Sequence, residues 1–111
     1  MSGNINRKLS DAAWHGEEAR VSQLLAQGGY DVDWRDGGNT TALHRAASEG
    51  HTRVTTRLLD SGWSLEARDN VGRTPLSRAA GSGHLETVKC LLLRGANIDT
   101  KSDGGYTPLH R

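Results

Sequence analysis

Five histidines, one cysteine and two basic series are the residues of this 111-residue chain that could do chemistry. The histidines are His15, His44, His51, His84 and His110. Imidazoles ligate zinc, but a tetrahedral site needs ligands that converge on one point. These histidines recur instead at fixed intervals, which spreads them along the molecule. Hydrogen bonds from their rings to loop backbone suit that spacing better than a metal, and no cofactor is expected. Cys90 is the only cysteine, so no internal disulfide can form. Next to Leu91 in mid-helix, it reads as a small hydrophobe rather than a catalytic thiol. No Gly-x-Ser-x-Gly nucleophile turn occurs. Gly37-Gly38 and Gly104-Gly105 follow aspartates as turn glycines and precede no Lys-Ser/Thr phosphate loop. An enzyme is not expected.

The basic residues carry more information. Arg45, Arg78 and Arg111 stand 33 apart in turn, and so do Arg35, Arg68 and Lys101, with Arg73 nearby. Acids are interleaved: Asp11, Asp36, Glu49, Asp69 and Asp103. Two readings follow. In one, the arginines bridge to aspartates within the molecule, as alternating signs allow. In the other, they line a groove that prefers acidic partners, with Arg supplying bidentate recognition of carboxylate.

The interval of 33 belongs to the scaffold that holds these residues. Thr41-Ala42-Leu43-His44, Thr74-Pro75-Leu76-Ser77 and Thr107-Pro108-Leu109-His110 are successive copies of one tetrapeptide at that spacing. Each reads as a helix start: Thr caps, Pro suits the first turn and Leu begins an apolar stripe. Other matches fall in register, among them Ala46-Ala47 with Ala79-Ala80, Gly50-His51 with Gly83-His84, and Leu58-Leu59 with Leu91-Leu92. The first unit aligns at 34, as Leu24-Leu25 to Leu58-Leu59 shows. The pattern predicts helix pairs over 4–14 and 17–27, 42–49 and 52–61, and 75–82 and 85–94, each broken and closed by Gly. Turns are predicted at Asp36-Gly37-Gly38-Asn39, Asp69-Asn70-Val71-Gly72 and Asp103-Gly104-Gly105. Thr52 and Thr55, where the next unit has Leu85 and Val88, are expected to weaken the second unit.

Composition agrees with such a scaffold. Only 34% of residues are hydrophobic, aromatics are 5% and Phe is absent, so Ala and Gly packing against Leu must make the core. The net charge of +1 gives no global pull toward nucleic acid or membrane. Met1–Ser10 holds no apolar run like a secretory leader. No stretch reaches the ~20 apolar residues that span a bilayer. A reducing intracellular setting is expected, the cytoplasm first and the nucleus second.

A 33-residue unit with this signature resembles the ankyrin repeat. Thr74-Pro75-Leu76, Ala79-Ala80, Gly83-His84, Val88, Leu91-Leu92, Gly95-Ala96 and Asp99 carry the likeness. The departures are local: Ser77 stands for the usual His and Ala42 for the Pro. The resemblance implies an all-α fold, an ankyrin-repeat solenoid of stacked helix-turn-helix units with protruding β-turn or hairpin loops. It divides the chain into an N-terminal capping repeat (4–36), two further repeats (37–69 and 70–102) and the truncated start of a fourth (103–111). It also implies a non-enzymatic protein–protein interaction module, whose partner is another protein, possibly one with an acidic segment. The expected binding face comprises Trp14, His15, Arg35, Thr40, Arg45, Ser48, Glu49, Arg68, Asn70, Val71, Arg73, Arg78, Gly81 and Ser82, with Gly37 and Gly38. Trp14 and His15, at positions filled by Ser48-Glu49 and Gly81-Ser82 in the later units, would lie on the concave side. Trp34 and Trp63 are expected to pack. With the fourth unit cut short, Val88, Leu91 and Leu92 should be only partly covered. The alternative is therefore self-association through that end, or membership of a longer ankyrin scaffold.

Overall fold

The structure, a computed structural model, describes residues 5–97. Six helices follow one another: α1 (Ile5–His15), α2 (Glu18–Gln27), α3 (Ala42–Ser48), α4 (Thr52–Asp60), α5 (Pro75–Gly81) and α6 (Leu85–Leu93). Each lies within one residue of its predicted limits, and no strand occurs among the described residues. The helices pair in sequence. α1, α3 and α5 stack in one row and α2, α4 and α6 in a second. The third tetrapeptide, Ile98, Lys101, Asp103 and Arg111 lie outside the described residues.

The threonines start the helices as their chemistry predicts. Thr41 Oγ1 accepts from the His44 N–H at 3.3 Å, and Thr74 Oγ1 from the Ser77 N–H at 3.2 Å. In α3 the cap is reciprocal, because the Thr41 N–H donates back to His44 Nδ1 at 3.2 Å. Ser77 makes no such return bond. Gly50, at φ +74°, lets the chain reverse between α3 and α4. Close approach also demands glycine there: a Cβ on Gly50 would lie 2.6 Å from the His84 ring, and one on Gly16 only 2.5 Å from His51. Each of these histidines thus seats on the preceding unit's glycine.

Small residues let the first helices approach closely. Ala12, Ala13, Ala42, Ala46, Ala47 and Ala79 are all buried. Leu9, Leu43, Leu58, Leu76 and Leu91 are the large fully buried anchors, worth roughly 1.5–3 kcal/mol each against exposure. Trp63 is buried and stacks on Tyr30 with centroids 5.4 Å apart. Trp34 is half-buried beneath the Arg7 guanidinium, 5.7 Å from its ring.

One expectation about the core is corrected, and one is sharpened. Val88 and Leu91 are buried rather than partly covered, because they pack with Leu76, Ala79 and Ala47 of α5 and α3. Only Leu92 is half-buried, while Leu85 and Leu93, on the outer side of α6, are 71% and 87% exposed. Thr55 is fully buried where Val21 and Val88 stand in the other units, and its hydroxyl is satisfied by the His51 carbonyl at 2.9 Å. Its cost is therefore lost apolar area, not an unpaired polar group.

Candidate interaction surface

Two loops reach out beside α3 and α5, and each closes on an aspartate. The Asp36 N–H donates to the Thr40 carbonyl at 3.1 Å, and the Asp69 N–H to the Arg73 carbonyl at 2.9 Å. The two loops are joined edge to edge by the Asn70 N–H and the Gly38 carbonyl, 3.2 Å apart. Asn39 takes a left-handed φ of +60°, at the place Gly72 fills in the next loop.

The aspartates also lock loops to helices. Asp36 Oδ1 accepts from the N–H groups of Gly38 and Thr40, at 2.9 and 3.1 Å. Its Oδ2 accepts from Arg45 Nε at 3.1 Å and from Arg45 Nη2. Asp69 repeats the plan: Oδ1 takes the Val71 and Arg73 N–H groups at 3.0 and 2.9 Å, and Oδ2 takes Arg78 Nε at 2.9 Å. Burial opposes ionisation of both carboxyls. The hydrogen bonds from backbone and arginine outweigh it and hold both pKa values below the usual range. Arg45 and Arg78 are thus engaged within the molecule, the first of the two readings of this series. Their reach extends to the preceding unit. The Arg45 guanidinium lies 5.1 Å from the Trp14 ring centroid, and Arg78 Nη2 donates to Thr40 Oγ1 at 2.8 Å.

The loop arginines act as staples. Arg35 Nη1 donates to the Asn39 and Arg68 carbonyls at 3.0 and 2.7 Å, and Arg68 Nη1 to the Gly72 carbonyl at 3.3 Å. The histidines bond backbone across units. His44 Nε2–H donates to the Arg73 carbonyl at 2.8 Å, and His51 Nε2–H to the Trp14 carbonyl at 2.9 Å. Burial drives the His44 pKa down to about 4, helped by the Arg78 charge and opposed by the bond to the Arg73 carbonyl. Its ring is neutral at pH 7. Among the described residues no group of three His, Cys, Asp or Glu is placed to hold a metal ion. No described helix is long and apolar enough to cross a membrane.

Most of the predicted face residues reach the surface. Trp14 is 38% exposed. His15, Glu49, Arg68, Asn70, Val71, Arg73, Gly81 and Ser82 are exposed, and Arg35, Arg45, Ser48 and Arg78 are half-buried. Thr40 is the exception. It is 3% exposed, because its hydroxyl turns inward to Arg78 and the Gly38 carbonyl. Thr40 is a structural residue beneath the face. The lock itself had a signal in the sequence: Asp36 and Arg45 are nine apart, and so are Asp69 and Arg78. The Trp14–Arg45 stack and a polar seam between α4 and α6 had none. In that seam Thr52 Oγ1 meets Thr87 Oγ1 at 2.8 Å, and Thr56 Oγ1 meets Cys90 Sγ at 3.3 Å.

Helix pairs stacked in two rows, with paired turns along one edge, define a helical repeat solenoid. A family model described as ankyrin repeats (3 copies) matches residues 9–102, and the chain belongs to the ankyrin-repeat family. Ankyrin repeats are generally protein–protein interaction modules.

Proposed function

We propose that the chain is a non-enzymatic module that presents a rigid concave groove and loop fingers, with their arginine series, to a protein partner. The observation that carries this reading is Trp14. A large ring stays 38% exposed, yet it is held by the Arg45 guanidinium, which Asp36 holds in turn. A pre-ordered aromatic loses little conformational freedom on binding, and Trp, Tyr and Arg dominate interface hot spots. The proposed face is Trp14, His15, Arg35, Arg45, Ser48, Glu49, Arg68, Asn70, Val71, Arg73, Arg78, Gly81 and Ser82. The division into units 4–36, 37–69 and 70–102 and an intracellular setting belong to the same proposal. The setting is supported by a single cysteine without a disulfide partner.

Affinity capture with the folded chain, followed by Trp14→Ala and Val71→Asp, tests the reading. Each substitution is expected to weaken capture at least about tenfold, the scale of an interface hot spot. A partner indifferent to both removes the face. Charge reversal at Arg45 or Arg78 is a poorer test, because it would set two carboxylates together and mix folding with binding.

A second reading, self-association through α6, has the exposed Leu85 and Leu93 in its favour. Light scattering across concentration decides it. A rising mass supports self-association, and a constant monomer removes it.

A further inference from the structure

Asp36 and Asp69 occupy the same place in successive loops but serve different numbers of cations. Arg45 is the only side chain that Asp36 pairs with among the described residues. Asp69 pairs with Arg78 and also, at 3.4 Å, with Arg73 Nε. The difference traces to one position. Thr40 fills it in the first loop and Arg73 in the second.

Arg35 adds a further cation. Its bonds go to the Asn39 and Arg68 carbonyls, and it meets no carboxylate among the described residues. Arg35 and Arg78 both act on the charge of His44, whose Nε2–H is bonded to the Arg73 carbonyl. Arg35 and Arg78 therefore stand near one neutral imidazole, which is tied to the backbone carbonyl of Arg73. Among the described residues, Asp69 supplies the one carboxylate paired with Arg73 and Arg78; its side chain is 0% exposed and already accepts two backbone N–H groups. The Arg73 side chain is 47% exposed, and its Nη groups donate to no described residue. A guanidinium fork with unused, exposed donors and surplus positive charge behind it is suited to a carboxylate.

We propose that this junction is a carboxylate-reading subsite. Arg73 takes an acidic side chain of a protein partner, Arg35 and Arg78 reinforce its field, and the Arg45–Asp36 junction stays out of that contact. The inference rests on the protein-interaction reading above. A nucleic acid fits less well, because a net charge of +1 offers no general attraction to a phosphate backbone.

The test is fluorescence anisotropy of a labelled poly-glutamate peptide titrated with the whole chain at low ionic strength. The wild type is expected to bind. Arg73→Thr, which installs the residue of the other loop, is expected to weaken binding at least about tenfold, the scale of a charge-assisted hydrogen bond. Arg73→Lys, which keeps the charge and loses the fork, should fall between the two. It also keeps the test decisive if thermal melts show Arg73→Thr to be unfolded. Arg53→Thr removes the same charge from an exposed site on α4 and should change affinity less than about twofold. Equal weakening by Arg53→Thr and Arg73→Thr, no binding by the wild type, or tighter Arg73-dependent binding of a charge-matched RNA would overturn the proposal. If a captured partner depends on Trp14 but not on Arg73, this subsite alone falls. Dependence on neither removes the wider reading as well.

Discussion

The loop–helix junctions at Asp36 and Asp69 are one design executed twice, 33 residues apart, and they differ in what they leave for a partner. Both use an aspartate, half-buried at position 36 and buried at 69, to tie a tight turn to an arginine in the helix that follows. At the first, the arginine goes on to cover Trp14, so charge is matched and an aromatic is displayed. At the second, the arginine goes on to Thr40, and Arg73 is added. Charge is then in surplus and no aromatic is displayed. A repeat scaffold can therefore keep its lock constant while varying the chemistry beside it.

The comparison breaks most sharply at the aspartates. Asp69→Ala leaves Arg78 without its partner in a closed site and should cost about 3–5 kcal/mol, the scale of a broken buried pair. Asp36→Ala should cost less, about 1–3 kcal/mol, because Arg45 is more open to water and keeps its Trp14 contact. Urea unfolding of the two variants checks the order. Equal losses would mean that the junctions are energetically alike.

His44 supplies the next contrast, since Ser77 holds its place in the following unit. Its folded pKa of about 4 lies below the ordinary 6.5, so the unfolded chain binds that proton first. Stability is unaffected above about pH 6.5 and falls as pH drops from there to about 4, by about 3 kcal/mol in all. Asp36 and Asp69, whose pKa values are lowered, lose their contribution in a separate and more acidic window, as pH falls below the ordinary carboxyl value of 3.8. His44→Ser should flatten the upper window only. Unfolding free energies across pH read both windows.

Smaller effects sharpen the picture. Thr55→Val would give α4 the aliphatic residue that α2 and α6 carry, with an expected gain of about 1 kcal/mol. Thr40→Ala removes the acceptor of Arg78 Nη2 and should cost about 1 kcal/mol, less than the loss of Asp69. Thermal melts suffice for both.

Much of the fold was legible because its information is local. Thr caps, Gly breaks and Leu stripes repeat at one interval, and each acts within its own helix. The surface series were legible for the same reason: register 33 puts Arg45 and Arg78 in equivalent places. What escaped depends on how one unit rotates against the next. Trp14 and Arg45 are brought together only by the stacking of α1 on α3. Thr40 turned inward because Arg78 arrives from the next unit. Val88 and Leu91 proved buried, packed against Leu76 and Ala79 of their own unit and Ala47 of its predecessor. Spacing gives the position of a side chain along the stack, but not the direction in which it is claimed.

The most direct measurement is calorimetric titration of a captured protein partner into the wild type and into Trp14→Ala. Loss of the Arg45 contact should lower stability by only about 0.5–1 kcal/mol, since the pair is partly exposed. Partner affinity should nevertheless fall at least about tenfold, as for an interface anchor. Equal affinity for the two proteins would contradict the assignment of this face to binding.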